Sequence, residues 1–155
     1  MNQRFLKKGD FQMSDDTIHL LKECDSGTKT AVNSIKEVLD NVSSEALQGI
    51  LSDSVQEHEK IGNEVHSLLS EFGESGKDPA PMARAMSWMK INAKLLNDPS
   101  DETIAALMTD GCNMGIKQVA TYENKYPTAD KKAHNLAKKL IREEQHLLEE
   151  LRAYL

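Results

Sequence analysis

Cysteine, proline, glycine and long apolar runs are all scarce in this 155-residue chain, and each shortage excludes a class of protein. Two cysteines without a CxxC pair do not make a structural zinc ligand set. Four prolines and eight glycines, together with 28% charged residues, exclude collagen-like repeats and disorder. No apolar run approaches the roughly 18 residues of a membrane span, so we do not expect an integral membrane protein.

Basic side chains are also outnumbered, because 25 acidic residues face 19 basic ones and leave a formal net charge of −6. This acidic background disfavours nucleic acid as the main partner. Residues 1–13 are basic but lack the apolar segment of a signal peptide, so we interpret them as a leader that is poorly ordered or partly helical. We expect a cytoplasmic protein in which Cys24 and Cys112 are free thiols.

Helix signals recur throughout residues 14–155, so we interpret this range as a single all-α domain. Apolar residues recur with a period of 3.6, and no stretch alternates with the period of two that indicates a strand. Capping side chains before each helix and stop signals after it set the expected boundaries. The first predicted helix follows the Ser14–Asp16 cap and runs to about residue 42, and the second follows Ser44 and spans 45–72. A shorter helix covers about 80–97. The next opens at Ser100 and reaches about residue 126, and the last follows a Thr128 cap and runs to residue 155.

The order of these helices predicts a ferritin-like four-helix bundle. The first two long helices are joined by a two-residue hinge, and the last two by a short Pro-Thr link, so each pair is expected to form an antiparallel hairpin. The short helix at 80–97 stands between the hairpins and is long enough to travel much of the bundle. A single long crossover of this kind is the ferritin-like arrangement.

Two ionisable residues fall in the middle of core-facing stripes. On a helical wheel, His58 lies at the centre of the apolar stripe of the second helix, and Glu144 at the centre of the stripe of the last. Both lie near the midpoints of their helices, so we expect them at the same depth. Asp25 lies about 60° from the centre of the first stripe.

A ferritin-like di-iron centre is excluded by the ligand pattern. Such centres need a Glu from each of two helices and a Glu-x-x-His motif from each of the other two. The one Glu-x-x-His here, Glu143 to His146, points away from the core stripe on the wheel. The third helix presents Gly111 and Gly115 where a bridging Glu is required.

Two interpretations of the polar core remain open. His58 and Glu144 form a buried hydrogen-bonded pair that sets helix register, or they bind one divalent transition metal ion together with Asp25. We expect no metal and no other cofactor. Thr28 is expected to bond a backbone carbonyl, and both cysteines are expected to act as small core residues.

The short helix has two apolar faces, and a helix lying on a bundle buries only one. Its main stripe runs through Met82, Met86 and Met89, while Trp88 and Ile91 stand away from it. We therefore expect Trp88 and Ile91 to contact a second subunit in a homodimer. Alternatively, this face is a groove for an amphipathic helix of a partner.

Residues 82–155 contain the segments MARAMSWMKIN, MTDGCNMGI and NKYPTADKKAHNLAKKLIREEQHLLEELRAYL. Over these segments the chain resembles a family of bacterial ferritin-like proteins. The resemblance implies a four-helix bundle without an assigned reaction. Together with the residues, it indicates a non-catalytic bundle that acts through protein contacts; the alternative is a metal-binding or redox protein with a reduced ligand set.

Overall fold

The structure is a computed structural model that describes residues 8–79, 90–95 and 97–155. Within these ranges the regular elements are helices and there is no strand, so the all-α prediction is confirmed. The bounds of the long helices are α1, Lys8–Leu39; α2, Glu45–Glu71; α3, Asp101–Lys125; and α4, Lys131–Leu151. A 3₁₀ turn, Arg152–Tyr154, follows α4, and residues 90–95 are also helical. None of these described helices has an apolar stretch of the length that a bilayer crossing requires.

Three of the helix ends that capping and stop residues predict are found in the structure, at Ser44, Ser100 and Gly73. The hydroxyl of Ser44 accepts the N–H of Leu47, and that of Ser100 accepts the N–H of Thr103, so each serine satisfies a donor at a helix start. Gly73 follows α2 with φ +71°, a conformation that costs a residue with a side chain far more than it costs glycine.

Two predicted starts are wrong. α1 begins at Lys8, so the helix already includes Ser14–Asp16 instead of being capped by them. α4 begins at Lys131 with Asp130 at its cap position, and Thr128 does not cap it. The Thr128 hydroxyl instead donates to the carboxylate of Asp16, and this bond attaches the α3–α4 link to α1.

Contacts along the helices give their directions. Lys36 pairs with Glu59 near one end of α1, and Asp25 lies beside His66 nearer the other, so α1 and α2 are antiparallel. α4 is likewise antiparallel to α2, because residue 143 contacts residue 54 while residue 139 contacts residue 64. Residues 134 and 144 of α4 lie beside residues 123 and 115 of α3, so these two helices are antiparallel as well.

The core consists of two apolar clusters, one toward each end of the bundle. The first includes Val38, Leu47, Ile104 and Leu151, and the second includes Leu20, Leu69, Ala133 and Leu140. Each fully buried leucine contributes about 1.5–3 kcal/mol relative to an exposed one. The first cluster is tied at its end by Asp101, whose carboxylate accepts the N–H groups of Ser43 and Ser44 at 2.8 and 2.9 Å.

Ile91 corrects the prediction for the short helix. It is only 6% exposed and packs with Leu95 into the first apolar cluster, so it belongs to the core and is not exposed for contact with a second subunit. Residues 91 and 95 are one helical turn apart and share a face, and this face packs on the bundle. Trp88 lies outside the described residues.

Candidate functional site

A polar layer separates the two apolar clusters. In each long helix, one residue lies between the core residues of the first cluster and those of the second. These four residues form the layer, and they are Thr28, His58, Gly115 and Glu144. In α2, for example, His58 lies between Val55 of the first cluster and Ile61 of the second. The layer therefore forms where the four helices bring these residues to one level.

His58 and Glu144 lie in direct contact at the centre of this layer. The Nε2 atom of His58 is 2.9 Å from Oε1 of Glu144, and the two side chains are 0% and 8% exposed. The Nδ1 atom of His58 is 2.8 Å from the backbone carbonyl of Ser54. A carbonyl oxygen only accepts, so Nδ1 carries a hydrogen and donates it.

The surroundings of His58 favour its protonated form. Burial alone lowers the pKa of the imidazole. The hydrogen bond and the negative charge of Glu144, together with the Ser54 carbonyl, outweigh burial and raise the pKa above its ordinary 6.5. The contact with Glu144 therefore has the character of a buried ion pair.

Ser54 and Glu143 extend the layer toward the surface, and the sequence analysis missed both. The Ser54 hydroxyl donates to Oε1 of Glu143 at 2.9 Å and lies 3.3 Å from Nδ1 of His58. Glu143 was expected to face away from the core, but it is only partly exposed, and burial raises its pKa in spite of the Ser54 hydrogen bond. Ser54 precedes His58 by four residues, a spacing that places both on one helix face and could have revealed the link.

α3 adds a thiol and a glycine beside Glu144. Burial first, and then the charge and a hydrogen bond of Glu144, raise the pKa of the Cys112 thiol above its ordinary 9.0. A Cβ atom at Gly115 would lie 3.3 Å from both Cδ and Oε1 of Glu144. Glycine at this position therefore makes room for the carboxylate.

A cleft of about 480 Å³ opens beside the polar layer. Its walls come mainly from α1, α3 and α4, with Lys90 and Ile91 contributed by the short helix, and they are mostly apolar, with Ile35, Met108 and Leu147 among them. His58, Cys112 and Glu144 also line it. The buried ion pair thus forms part of the wall of a cleft.

Asp25 is not part of this cluster, which corrects the metal-ligand prediction. Its carboxylate pairs with Lys29 at 2.7 Å, accepts the N–H of Lys77 at 2.9 Å, and lies 3.9 Å from His66. His66 is eight residues from His58 on the same helix, a rise of about 12 Å. In the part of the chain that the structure describes, no three His, Cys, Asp or Glu side chains are grouped so as to hold a metal ion.

The neighbouring core residues behave as small structural groups. Thr28 donates to the carbonyl of Asp25 at 2.9 Å, which confirms the expected bond to the backbone. Cys24 and Cys112 are buried free thiols that belong to different apolar clusters, as expected for small core residues.

The described helices and their polar layer define an all-α helical bundle. Among solved structures, the chain is similar to one described as "YcfI, a putative structural protein from Rhodopseudomonas palustris". The TM-score is 0.73, the sequence identity is 13%, and the match covers 97% of each chain. At this identity the likeness shows the fold. No protein-family profile matches the chain, and neither does any curated protein.

Proposed function

We propose that this protein is a non-catalytic, ferritin-like helical bundle that acts through contacts with other protein chains. The observation that carries this proposal is the state of His58. Both of its ring nitrogens are engaged, Nδ1 by the Ser54 carbonyl and Nε2 by Glu144. Each ring nitrogen thus has a protein group as its partner, and the contact of Nε2 with Glu144 connects α2 to α4 inside the bundle.

Helix direction supports the ferritin-like part of the proposal. α2 and α3 both run antiparallel to α4, so they run in the same direction. Two consecutive parallel helices need a connection that returns along the bundle. The segment between residues 71 and 101 is long enough for this crossover, which distinguishes a ferritin-like bundle from one with only short loops.

A role in protein contacts is compatible with the solved neighbour, which is described as a structural protein. We propose a homodimer because the sequence predicts a second apolar face, with Trp88, on the short helix. We propose a cytoplasmic location because both cysteines are free thiols. Ile91 no longer contributes to this argument because it packs into the core.

Sedimentation velocity over a hundredfold range of protein concentration tests the dimer. We expect a dimer that dissociates on dilution, and a folded monomer for Trp88→Glu. Leu155→Glu is the matched control, because Leu155 is an exposed apolar residue at the far C-terminus. A wild-type protein that remains monomeric at the highest concentration would contradict the proposal.

Elemental analysis separates this function from the metal-binding alternative. We expect the purified protein to contain iron, manganese and zinc only far below one equivalent. Stoichiometric metal that is lost in His58→Ala would overturn the non-catalytic assignment, because His58 would then be a ligand and not only a connection between α2 and α4.

A further inference from the structure

The cleft between α1, α3 and α4 has the size and the wall chemistry of a small-molecule site. Its volume of about 480 Å³ falls within the range of roughly 300–1,000 Å³ that is typical of ligand pockets. Such pockets are mainly apolar with a few polar groups. Here the polar groups deep in the core are His58, Cys112 and Glu144, and apolar side chains form most of the remaining wall.

The hydrogen-bonding state of these groups favours a ligand that donates a hydrogen bond. The two ring nitrogens of His58 are occupied by Ser54 and Glu144. A carboxylate has about four acceptor sites, and the contacts of Glu144 with His58 and Cys112 use two of them. Glu144 can therefore accept about two further hydrogen bonds. An ammonium or a hydroxyl group can donate them, whereas a carboxylate cannot.

The charge at the inner end of the cleft favours a cation. Two of the three carboxylates among its described lining residues are already paired with lysines, Glu23 with Lys77 and Asp110 with Lys90. The third carboxylate is Glu144, which lies beside His58. Next to His58, a second carboxylate, Glu143, leaves two acidic groups facing one imidazole. One further positive charge balances this cluster.

We propose that the cleft binds an amphipathic primary amine, with its ammonium group at Glu144 and its alkyl chain along the apolar wall. This binding activity goes beyond the protein contacts proposed above. It concerns the interior face of one bundle and does not depend on the oligomeric state.

Isothermal titration calorimetry with dodecylamine at pH 7, below its micellar concentration, tests the proposal directly. We expect one equivalent to bind per chain, and dodecanoate of the same chain length to bind at least about tenfold more weakly, a difference of about 1.4 kcal/mol. Glu144→Gln keeps the shape of the side chain and removes its charge. This variant is expected to lose the preference for the amine.

A pair of glycine variants distinguishes the cleft from general attraction of a cation to an acidic protein. Gly111 lines the cleft, whereas Gly49 lies on α2 outside it, and a Cβ at either position meets no atom within 4 Å. Gly111→Leu fills the cleft and is expected to abolish binding. Gly49→Leu makes the same change elsewhere without altering any charge, and it is expected to bind like the wild type.

A second measurement does not depend on these variants. With methionine methyl groups labelled by ¹³C, dodecylamine is expected to shift the Met108 signal, which Met108→Leu identifies, because Met108 lines the cleft. The proposal is overturned if dodecylamine fails to bind, if dodecanoate binds as well, if Gly111→Leu binds like Gly49→Leu, or if the Met108 signal does not move.

Discussion

The imidazole of His58 contacts the carboxylate of Glu144 at 2.9 Å, and this contact joins α2 to α4 between two apolar clusters. Removing two charged groups from water is costly, so such a pair contributes little net stability when it is compared with apolar residues of similar size. It is far more costly to leave one partner alone. The pair therefore penalises any alternative helix register in which the two residues do not meet.

Each single substitution at this pair is expected to destabilise the protein strongly, and the double substitution only slightly. His58→Leu or Glu144→Leu leaves the other group buried without its partner and should lower the free energy of unfolding by about 3–5 kcal/mol. The doubly substituted protein should recover much of this loss, because no unpaired charge remains. Urea unfolding of the four proteins measures the coupling between the two sites.

His146→Leu provides the control for this cycle. His146 is an exposed histidine two residues from Glu144, with a side chain that is 62% exposed. It should change stability by no more than about 0.5 kcal/mol. If the two single core substitutions are equally mild, His58 and Glu144 do not form a buried pair in solution.

The protonation of His58 predicts how stability depends on pH. Because the folded-state pKa of His58 lies above its ordinary 6.5, folding favours the protonated imidazole. This contribution is complete below about pH 6.5 and is lost as the pH rises through the raised pKa, by at most about 1.4 kcal/mol per pH unit. The groups that face the ring are Glu144, Glu143 and the Ser54 carbonyl.

Urea unfolding between pH 6 and pH 8 measures this dependence. Over that range the free energy of unfolding of the wild type should fall more steeply than that of His58→Gln, which has no group that titrates at this position. Parallel curves for the two proteins would show that His58 has the same pKa in the folded and the unfolded chain.

Helical periodicity found the central pair because each residue lies at the centre of a strong stripe. His58 and Glu144 interrupt runs of leucine and valine, so any rotation of the wheel that buries the stripe also buries them. Ser100 and Gly73 were equally accessible to prediction, because capping chemistry is local. These features depend only on residues a few positions apart.

Features that depend on contacts between different segments of the chain could not be predicted from the sequence. Asp25 lies to one side of its stripe and is buried by residues 76 and 77 of the loop after α2, which no helical pattern describes. Ile91 was placed on the wrong face because the short helix has two apolar faces and the wheel does not show which one packs. The cleft beside Glu144 depends on how α1 and α3 approach each other, and periodicity within one helix contains no such information.

The two cysteines should differ in reactivity although both are buried. Burial, followed by the charges of Glu123 and Glu23, raises the pKa of Cys24 to about 12, and the pKa of Cys112 is raised as well, so neither thiol ionises at pH 7.5. Cys112 lines the cleft and Cys24 does not. A small methanethiosulfonate should therefore modify Cys112 first, and both only slowly compared with the urea-unfolded chain.

The single variants Cys24→Ala and Cys112→Ala identify which thiol reacts. Mass spectrometry of each variant over time gives the two rates separately. Equal rates, or faster labelling of Cys24, would mean that reagent reaches the core by opening of the bundle and not through the cleft.

Gly76→Ala is expected to weaken the attachment of the 73–79 loop to α1. A Cβ at this position would overlap Oδ2 of Asp25, lie 2.9 Å from its Cγ, and reach within 3.2 Å of the Lys29 ammonium. Asp25 is a short side chain that is only 3% exposed, and it is held by Lys29 and by the N–H of Lys77, so it has little room to move. Overpacking of this kind costs about 1–3 kcal/mol.

Gly49→Ala is the matched control for this last change. Position 49 lies inside α2 with nothing within 4 Å of a Cβ, so alanine there should stabilise the protein by about 0.5–1 kcal/mol through its higher helix propensity. In an Asp25→Ala background the obstructing carboxylate is absent, and the loss caused by Gly76→Ala should shrink. Urea unfolding measures the stabilities, and hydrogen exchange at the Lys77 amide reports on the loop. If Gly76→Ala is as stable as the wild type and protects that amide equally well, the loop is not held against Asp25 in solution.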